Sequence, residues 1–325
     1  MRIGFYAHHH GSGHLRRART IAAELTRRGH DTSIASSRAG GDIELPLDNA
    51  GDDFRDPTAH GAFHWAPAHN DGMTARMAWL TQWVTDFRPD VIHVDVSVEV
   101  AVFLRLLGVP VTVQAMPGVR DDAPHQLAYR VATRIIAAWP DWVEPDAGLK
   151  PHADRLTRVG GISRFEAAER GGEGGDADII VMRGAGGHAQ GDEFWEAVAD
   201  QVGDARWRIL GGKHTVADPS PLLSQAELVI SAAGQNSVAD IAACGTQACG
   251  TPVIVTAEER PFDEQGATAQ VLERAGLAYP APRSSAVADW VEAIAAARGR
   301  TTDWAKWQTT GAAKRAADAI EEAGK

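Results

Sequence analysis

Seven residues near the N-terminus, His8-His9-His10-Gly11-Ser12-Gly13-His14, put four imidazoles and two glycines into one short stretch. Imidazole titrates close to neutral pH, so such a stretch has the chemistry of an acid, a base or a ligand. Ile3, Phe5 and Ala7 before it alternate as in a strand, and Leu15, Ala18, Ile21, Ala22 and Leu25 follow at helical spacing. The run is therefore read as a strand-to-helix turn, not an appended tag, and α/β proteins gather ligands at such turns. His14 opens the helix and is the first candidate base, with His10 the second. Asp95 ends the apolar run VIHVD (91–95). A carboxylate there can orient a histidine or, with Ser97 and Glu99 nearby, cap the next helix. Arg16, Arg17 and Arg19 crowd the start of the first helix against its dipole, which an anionic ligand would explain for at least one of them.

The second half has its own reactive stretch. The apolar run LVIS (228–231) leads into Ala232-Ala233-Gly234-Gln235-Asn236-Ser237-Val238-Ala239-Asp240. A helix starting near Asn236 would present free N–H groups and the positive end of its dipole, which suits a diphosphate. Gly234 permits close backbone approach, Ser237 adds a hydroxyl, and Asp240, one turn in, is placed for a ribose diol. Simple capping by Asn236 and Ser237 is the competing reading. Glu264 and Gln265 open a later helix and could hydrogen-bond sugar hydroxyls. In the first half, the loop 117–125 offers Arg120, Asp121, Asp122 and His125 as acceptor contacts or alternative bases. His60, His64 and His69 surround Trp65 without recognisable metal-ligand spacing, and Trp79 and Trp83 read as packing residues.

These residues need a scaffold that brings strand ends together. Strand and helix patterns alternate through both halves, which predicts α/β architecture with parallel sheets and ligands at the carboxyl ends of strands. At 325 residues the chain exceeds one ordinary core. Two doubly wound domains are expected, 1–157 and 158–325, with a Pro- and Gly-rich passage over 150–176. A last helix over about 303–323 would finish the second domain or cross back to the first. A net charge of −11 argues against a general nucleic-acid role. The two cysteines, Cys244 and Cys249, make no disulfide framework and no structural zinc site. No signal peptide and no membrane-spanning run are read, so a cytoplasmic protein is expected, with peripheral contact at the inner membrane face left open.

The block 232–240, followed by Pro252 and then Glu264-Gln265, resembles the nucleotide-sugar signature of the GT-B glycosyltransferases. The Gly11-Ser12-Gly13-His14 turn is similar to the N-terminal turn of the family-28 type, which includes the N-acetylglucosaminyltransferase that makes the lipid precursor of peptidoglycan. The resemblance implies two facing Rossmann-like domains with a cleft between them, the acceptor on the first and the donor on the second. It implies inverting transfer from a nucleoside-diphosphate sugar, a UDP-sugar first, to an acceptor hydroxyl on a lipid carrier, glycan or small molecule. No cofactor or metal is obligatory. His14 would be the base and Asp95 its partner. Gly13, Gly234, Asn236, Ser237, Asp240, Glu264 and Gln265 would face the donor, as would the turn at Gly186 and Gly187. Arg16, Arg120 and His125 would meet acceptor or phosphate. Three positions depart from the pattern: Ala232 stands where many relatives carry a histidine, Asp240 replaces the usual Glu, and 243–252 holds about five extra residues. A nucleotide-sugar hydrolase, a 2-epimerase or a non-catalytic nucleotide-sugar binding subunit would fit the same pattern.

Overall fold

The computed structural model describes residues 1–49, 54–165, 178–183, 190–211, 213–214, 216–245 and 250–325. In chain order the first part runs β1 (Arg2–Ala7), α1 (Gly13–Arg27), β2 (Asp31–Ser36), β3 (Ile43–Glu44), α2 (Asp71–Phe87), β4 (Val91–Asp95), α3 (Val98–Leu106), β5 (Val111–Ala115), α4 (Ala123–Val131), β6 (Arg134–Ala137) and β7 (Leu156–Arg158). The second runs β8 (Asp178–Met182), α5 (Asp192–Val202), β9 (Arg206–Leu210), α6 (Ser220–Leu223), β10 (Ala226–Ala232), α7 (Gln235–Gly245), β11 (Val253–Thr256), α8 (Glu264–Arg274), β12 (Tyr279–Pro280), α9 (Val287–Ala297) and α10 (Ala312–Ala323). These elements form two compact units, residues 1–159 with 311–325, and residues 160–310.

The first unit holds a seven-stranded parallel sheet of order β3-β2-β1-β4-β5-β6-β7. The chain winds outward from β1 in one direction and from β4 in the other. β1 and β4 thus flank the topological switch point, and Ala7 pairs with Asp95 at their carboxyl ends. β4 and β5 are buried along their whole length, as the apolar runs VIHVD and VPVTVQA require. Gly4 in β1 is there because α2 packs close. A Cβ at that position would come within 2.8 Å of Ile92 Cγ1 and 2.9 Å of Trp83 Cη2. Trp83 is core, as expected, and its Nε1 donates to Ser33 Oγ at 3.0 Å, whereas Trp79 is exposed.

The C-terminal helix resolves the choice left open by its sequence. The expected continuous helix over 303–323 is a short 3-10 turn at Trp304–Trp307 followed by α10, and α10 joins the first unit. Its alanines 312, 316, 317, 319 and 323 are buried with Ile320. Arg28 fixes it by ion pairs to Asp318 at 2.6 Å and Glu321 at 3.0 Å, and Arg134 reaches Glu322 at 2.6 Å. The passage expected over 150–176 likewise begins later, because β7 adds an edge strand within it.

The second unit carries a five-stranded parallel sheet of order β12-β11-β10-β8-β9, with its switch point between β8 and β10. Its core centres on Trp195 and Trp290, whose rings meet edge to face at 4.8 Å. Among the described residues no helix is long and apolar enough to cross a membrane.

One buried group makes the first unit acid-sensitive. His93 in β4 is fully buried, bonds Thr112 Oγ1 through Nδ1 at 2.9 Å, and is pushed down to about 4 from 6.5 by burial. Between those values the unfolded chain takes up a proton that the folded chain refuses. Stability therefore falls as pH falls through this window, and the loss is complete below about 4. The shift corresponds to about 3 kcal/mol. Urea unfolding at pH 7 and pH 4 should show an acid loss smaller by about that amount in His93→Gln. Equal losses in the two proteins would assign the sensitivity elsewhere.

Candidate active site

In the first unit the site is built on the switch point. β1 ends at Ala7, and the backbone N–H of His8 continues the ladder by donating to Asp95 O at 3.2 Å. The glycine-containing turn then delivers the chain into α1, with His14 in its first turn. His14 Nδ1 lies 2.9 Å from Asp95 Oδ1. Asp95 is fully buried, and Arg17, also buried and one helical turn after His14, grips it with both prongs. Arg17 Nε donates to Oδ2 at 2.8 Å and Nη2 to Oδ1 at 2.7 Å. Burial alone would raise the Asp95 carboxyl, but the Arg17 charge, then that of His14, and the hydrogen bonds outweigh it and hold the group far below the usual carboxylate range. An ionised carboxylate only accepts, so the proton between the two groups sits on His14 Nδ1, and Nε2 is the nitrogen that carries the lone pair whenever the ring is neutral. The side chain of His14 is 17% exposed, so this is a partly accessible imidazole held from behind.

The other histidines of the turn differ. His8 accepts the His10 N–H at Nδ1 (3.2 Å) and is pushed down to about 2, first by burial and then by its neighbouring histidines. The rings of His8, His9 and His10 pack together at centroid distances of 4.4–4.8 Å. His10 is exposed and belongs to this stack, and it is His14 that meets Asp95. Arg16 points to the exposed side of α1. Asp95 does not cap α3. Ser97 does, accepting from Val100 N at 3.2 Å.

Arg120 and His125 are buried rather than displayed. The expected loop 117–125 turns into α4 at Ala123, with Asp122 as its N-cap. Asp122 takes His125 Nδ1 at 2.5 Å and His64 Nε2 at 3.0 Å, while Arg120 Nη1 sits 3.2 Å from His125 Nε2. Burial chiefly drives His125 down to about 4. Two side-chain groups, His8-His9-His10 and His64-Asp122-His125, bring ligand-type atoms within 4.8 Å of one another. In the second, the carboxylate already serves both rings and a cation faces His125, so the group is satisfied as a hydrogen-bonded cluster.

In the second unit the residues expected around a donor follow β10 and β11. α7 begins at Gln235, with Asn236 and Ser237 half-buried in its first turn. Among the described residues, a Cβ placed on Gly234 would meet only Ser237 Oγ, at 4.0 Å, so these leave room beside this helix start. Asp240 is buried and engaged. Its Oδ1 accepts from Ser163 Oγ at 2.7 Å, and Arg164 Nε lies 3.5 Å from Oδ2. Gln265 Oε1 accepts from Glu258 N at 3.0 Å beside Glu264, the first residue of α8. Gly186 and Gly187 lie outside the described residues; in sequence they follow β8, the other strand of the switch point. Arg17, Arg76 and Ser163 are participants whose roles spacing alone does not show. Arg76 is buried and donates to Tyr6 Oη at 2.6 Å. Of these, Arg17 alone gave a signal, as one of three arginines set against the dipole at the start of α1.

The family described as the glycosyl transferase 4-like domain matches residues 12–186. A search of curated proteins finds no match in sequence. Among solved structures, the kitacinnamycin glycosyltransferase superposes with a TM-score of 0.68 at 16% identity, covering 99% of this chain and 98% of the other. MurG of Acinetobacter baumannii gives 0.65 at 16% identity, covering 99% of both chains. The spinosyn rhamnosyltransferase SpnG in complex with thymidine diphosphate gives 0.63 at 16% identity, covering 99% and 96%, and the same enzyme is known with spinosyn aglycone.

Removing Asp95 takes the counter-charge from the buried Arg17 guanidinium, a loss of about 3–5 kcal/mol. Denaturation of Asp95→Ala should show that penalty, with His14→Ala losing far less. Equal and small losses would mean that the carboxylate does not hold Arg17 in place.

Proposed function

The chain belongs to the glycosyl transferase 4-like domain family and has the GT-B fold, and from that premise we propose that it moves a sugar from a nucleoside-diphosphate donor to an acceptor hydroxyl with inversion, without an obligatory metal. The observation that carries this reading is the hydrogen bond from His14 to the buried, ionised Asp95 at the switch point of the first sheet. His14 Nε2 takes the acceptor hydroxyl proton as the hydroxyl oxygen attacks the anomeric carbon. The bond from that carbon to the diphosphate breaks, and the diphosphate leaves with the electron pair. Asp95 keeps the Nδ1–H tautomer and stabilises the imidazolium that forms.

The leaving charge is assigned to the N-terminus of α7, where Gly234, Asn236 and Ser237 offer N–H groups and a hydroxyl beside open space. Asp240 is assigned to the ribose, exchanging its present Ser163 partner for a diol, and Glu264 and Gln265 to the sugar hydroxyls. Gly186 and Gly187 complete the donor loop in this reading. UDP is proposed first as the donor nucleotide, on the family-28 resemblance. The thymidine diphosphate complex of SpnG makes TDP its direct competitor, and the SpnG aglycone complex favours a small-molecule acceptor over a lipid or glycan.

Thermal shift against UDP, TDP, GDP and ADP, with and without magnesium, tests the donor half. A nucleotide at 100 times its Kd stabilises by about 2.7 kcal/mol. The response should be selective, independent of magnesium, and lost in Gly234→Val, whose own stability should be near wild type. No response to any nucleotide would remove the donor assignment. With a donor in hand, His14→Ala should keep the nucleotide shift while turnover falls by about 10²–10⁴. Undiminished turnover would rule out His14 as the base.

A further inference from the structure

A histidine backed by a lone buried carboxylate becomes more basic, because the negative charge favours the imidazolium. Here the carboxylate is not alone. Arg17 binds both oxygens of Asp95, at 2.8 and 2.7 Å, and its Nη2 lies 3.4 Å from His14 Nδ1, against 2.9 Å for Asp95 Oδ1. The ring therefore faces a positive and a negative charge at nearly the same distance, all three groups locked on the first turns of α1 and the end of β4. Arg17 is itself anchored, with 2% of its surface exposed and Nη2 also against Met116 Sδ at 3.3 Å.

We propose that Arg17 is the positioning residue of this site: it fixes the carboxylate so that Asp95 selects the tautomer of His14, and it offsets the carboxylate charge that the ring faces. The inference rests on the reading of His14 as the base only for its catalytic meaning. The electrostatic arrangement stands on the geometry. Among the described residues, His8 from the turn after β1 also faces His14, ring to ring at 6.1 Å. Within β4, His93 is influenced by both Asp95 and Arg17 from one layer below. None of these supplies a second positive charge in contact with Asp95 among the described residues.

The test follows the His14 ring by long-range proton–nitrogen NMR on the whole chain, with His14→Gln providing the assignment. In wild type at neutral pH the proton should sit on Nδ1. Arg17→Gln and Arg17→Met remove the cation, and the pH at which the His14 signals are half-shifted should rise by about one pH unit or more. Arg17→Lys restores charge without the fork and should return the midpoint toward wild type. A cation serving only to hold the fold would lower stability in all three variants and leave the midpoint in place in Arg17→Gln and Arg17→Met, and that result in either uncharged variant, if folded, overturns the proposal. Should both uncharged variants fail to fold, wild type and Arg17→Lys still decide it. An Nε2–H tautomer in wild type overturns it, and so does a lysine variant whose midpoint rises by that same pH unit. Loss of turnover in His14→Ala is scored separately. An unchanged turnover there sinks the base assignment, not the role of Arg17.

Discussion

Asp95 holds a negative charge with no side-chain surface in water, and the first unit is organised around that constraint. A charge in such a place must be paired and hydrogen-bonded, or it protonates and the group is lost as an anion. Arg17 satisfies it from α1, and in doing so pins the first turn of that helix to the end of β4. His14 on the same helical face then has one orientation, with Nδ1 toward the carboxylate and Nε2 outward. The histidine is aimed by a salt bridge to which it is itself only the third party.

Topology explains why this pairing is available. In a doubly wound parallel sheet two neighbouring strands send their following helices to opposite faces, and their carboxyl ends frame an opening. β1 and β4 are those strands in the first unit, so a turn histidine and a strand-end aspartate that are far apart in sequence become neighbours. The second unit repeats the device with β8 and β10. There, among the described residues, β10 ends in small residues that lead into the start of α7, a chemistry suited to receiving an anion, and Arg183 after β8 is paired with Asp192.

Much of this was legible in the chain. Alternating apolar runs ending in Gly, Asp or Asn marked the strands, and helical spacing after HHHGSGH marked α1, so the parallel α/β fold and the His14–Asp95 pairing could be expected. Arg17 was visible only as a charge out of place: with Arg16 and Arg19 it stands against the dipole at the start of α1, and nothing local says which acid it meets. Arg120 and His125 read as loop residues because α4 starts within what looks like a polar turn, and a buried arginine–histidine contact has no periodic signature. α10 could be found as a helix but not assigned to a unit, since its alanine face fits either core. Arg28, Arg134 and Glu321, which decide the matter, are distant in sequence. Asp240 shows the same limit. Its hydroxyl partner, Ser163, lies at the start of the second unit, in a stretch that reads as a passage, and such long-range polar choices leave no trace in spacing.

A single displacement driven by one base leaves its mark on the product. Proton NMR of the anomeric centre, after reaction of an α-linked UDP- or TDP-sugar with a panel of simple alcohols and phenols, reads that mark directly. Attack by a hydroxyl that His14 deprotonates inverts the centre, so the product should be the β-glycoside. An α-glycoside would require two displacements or front-side attack, and would contradict a mechanism in which the His14–Asp95 pair drives one in-line displacement.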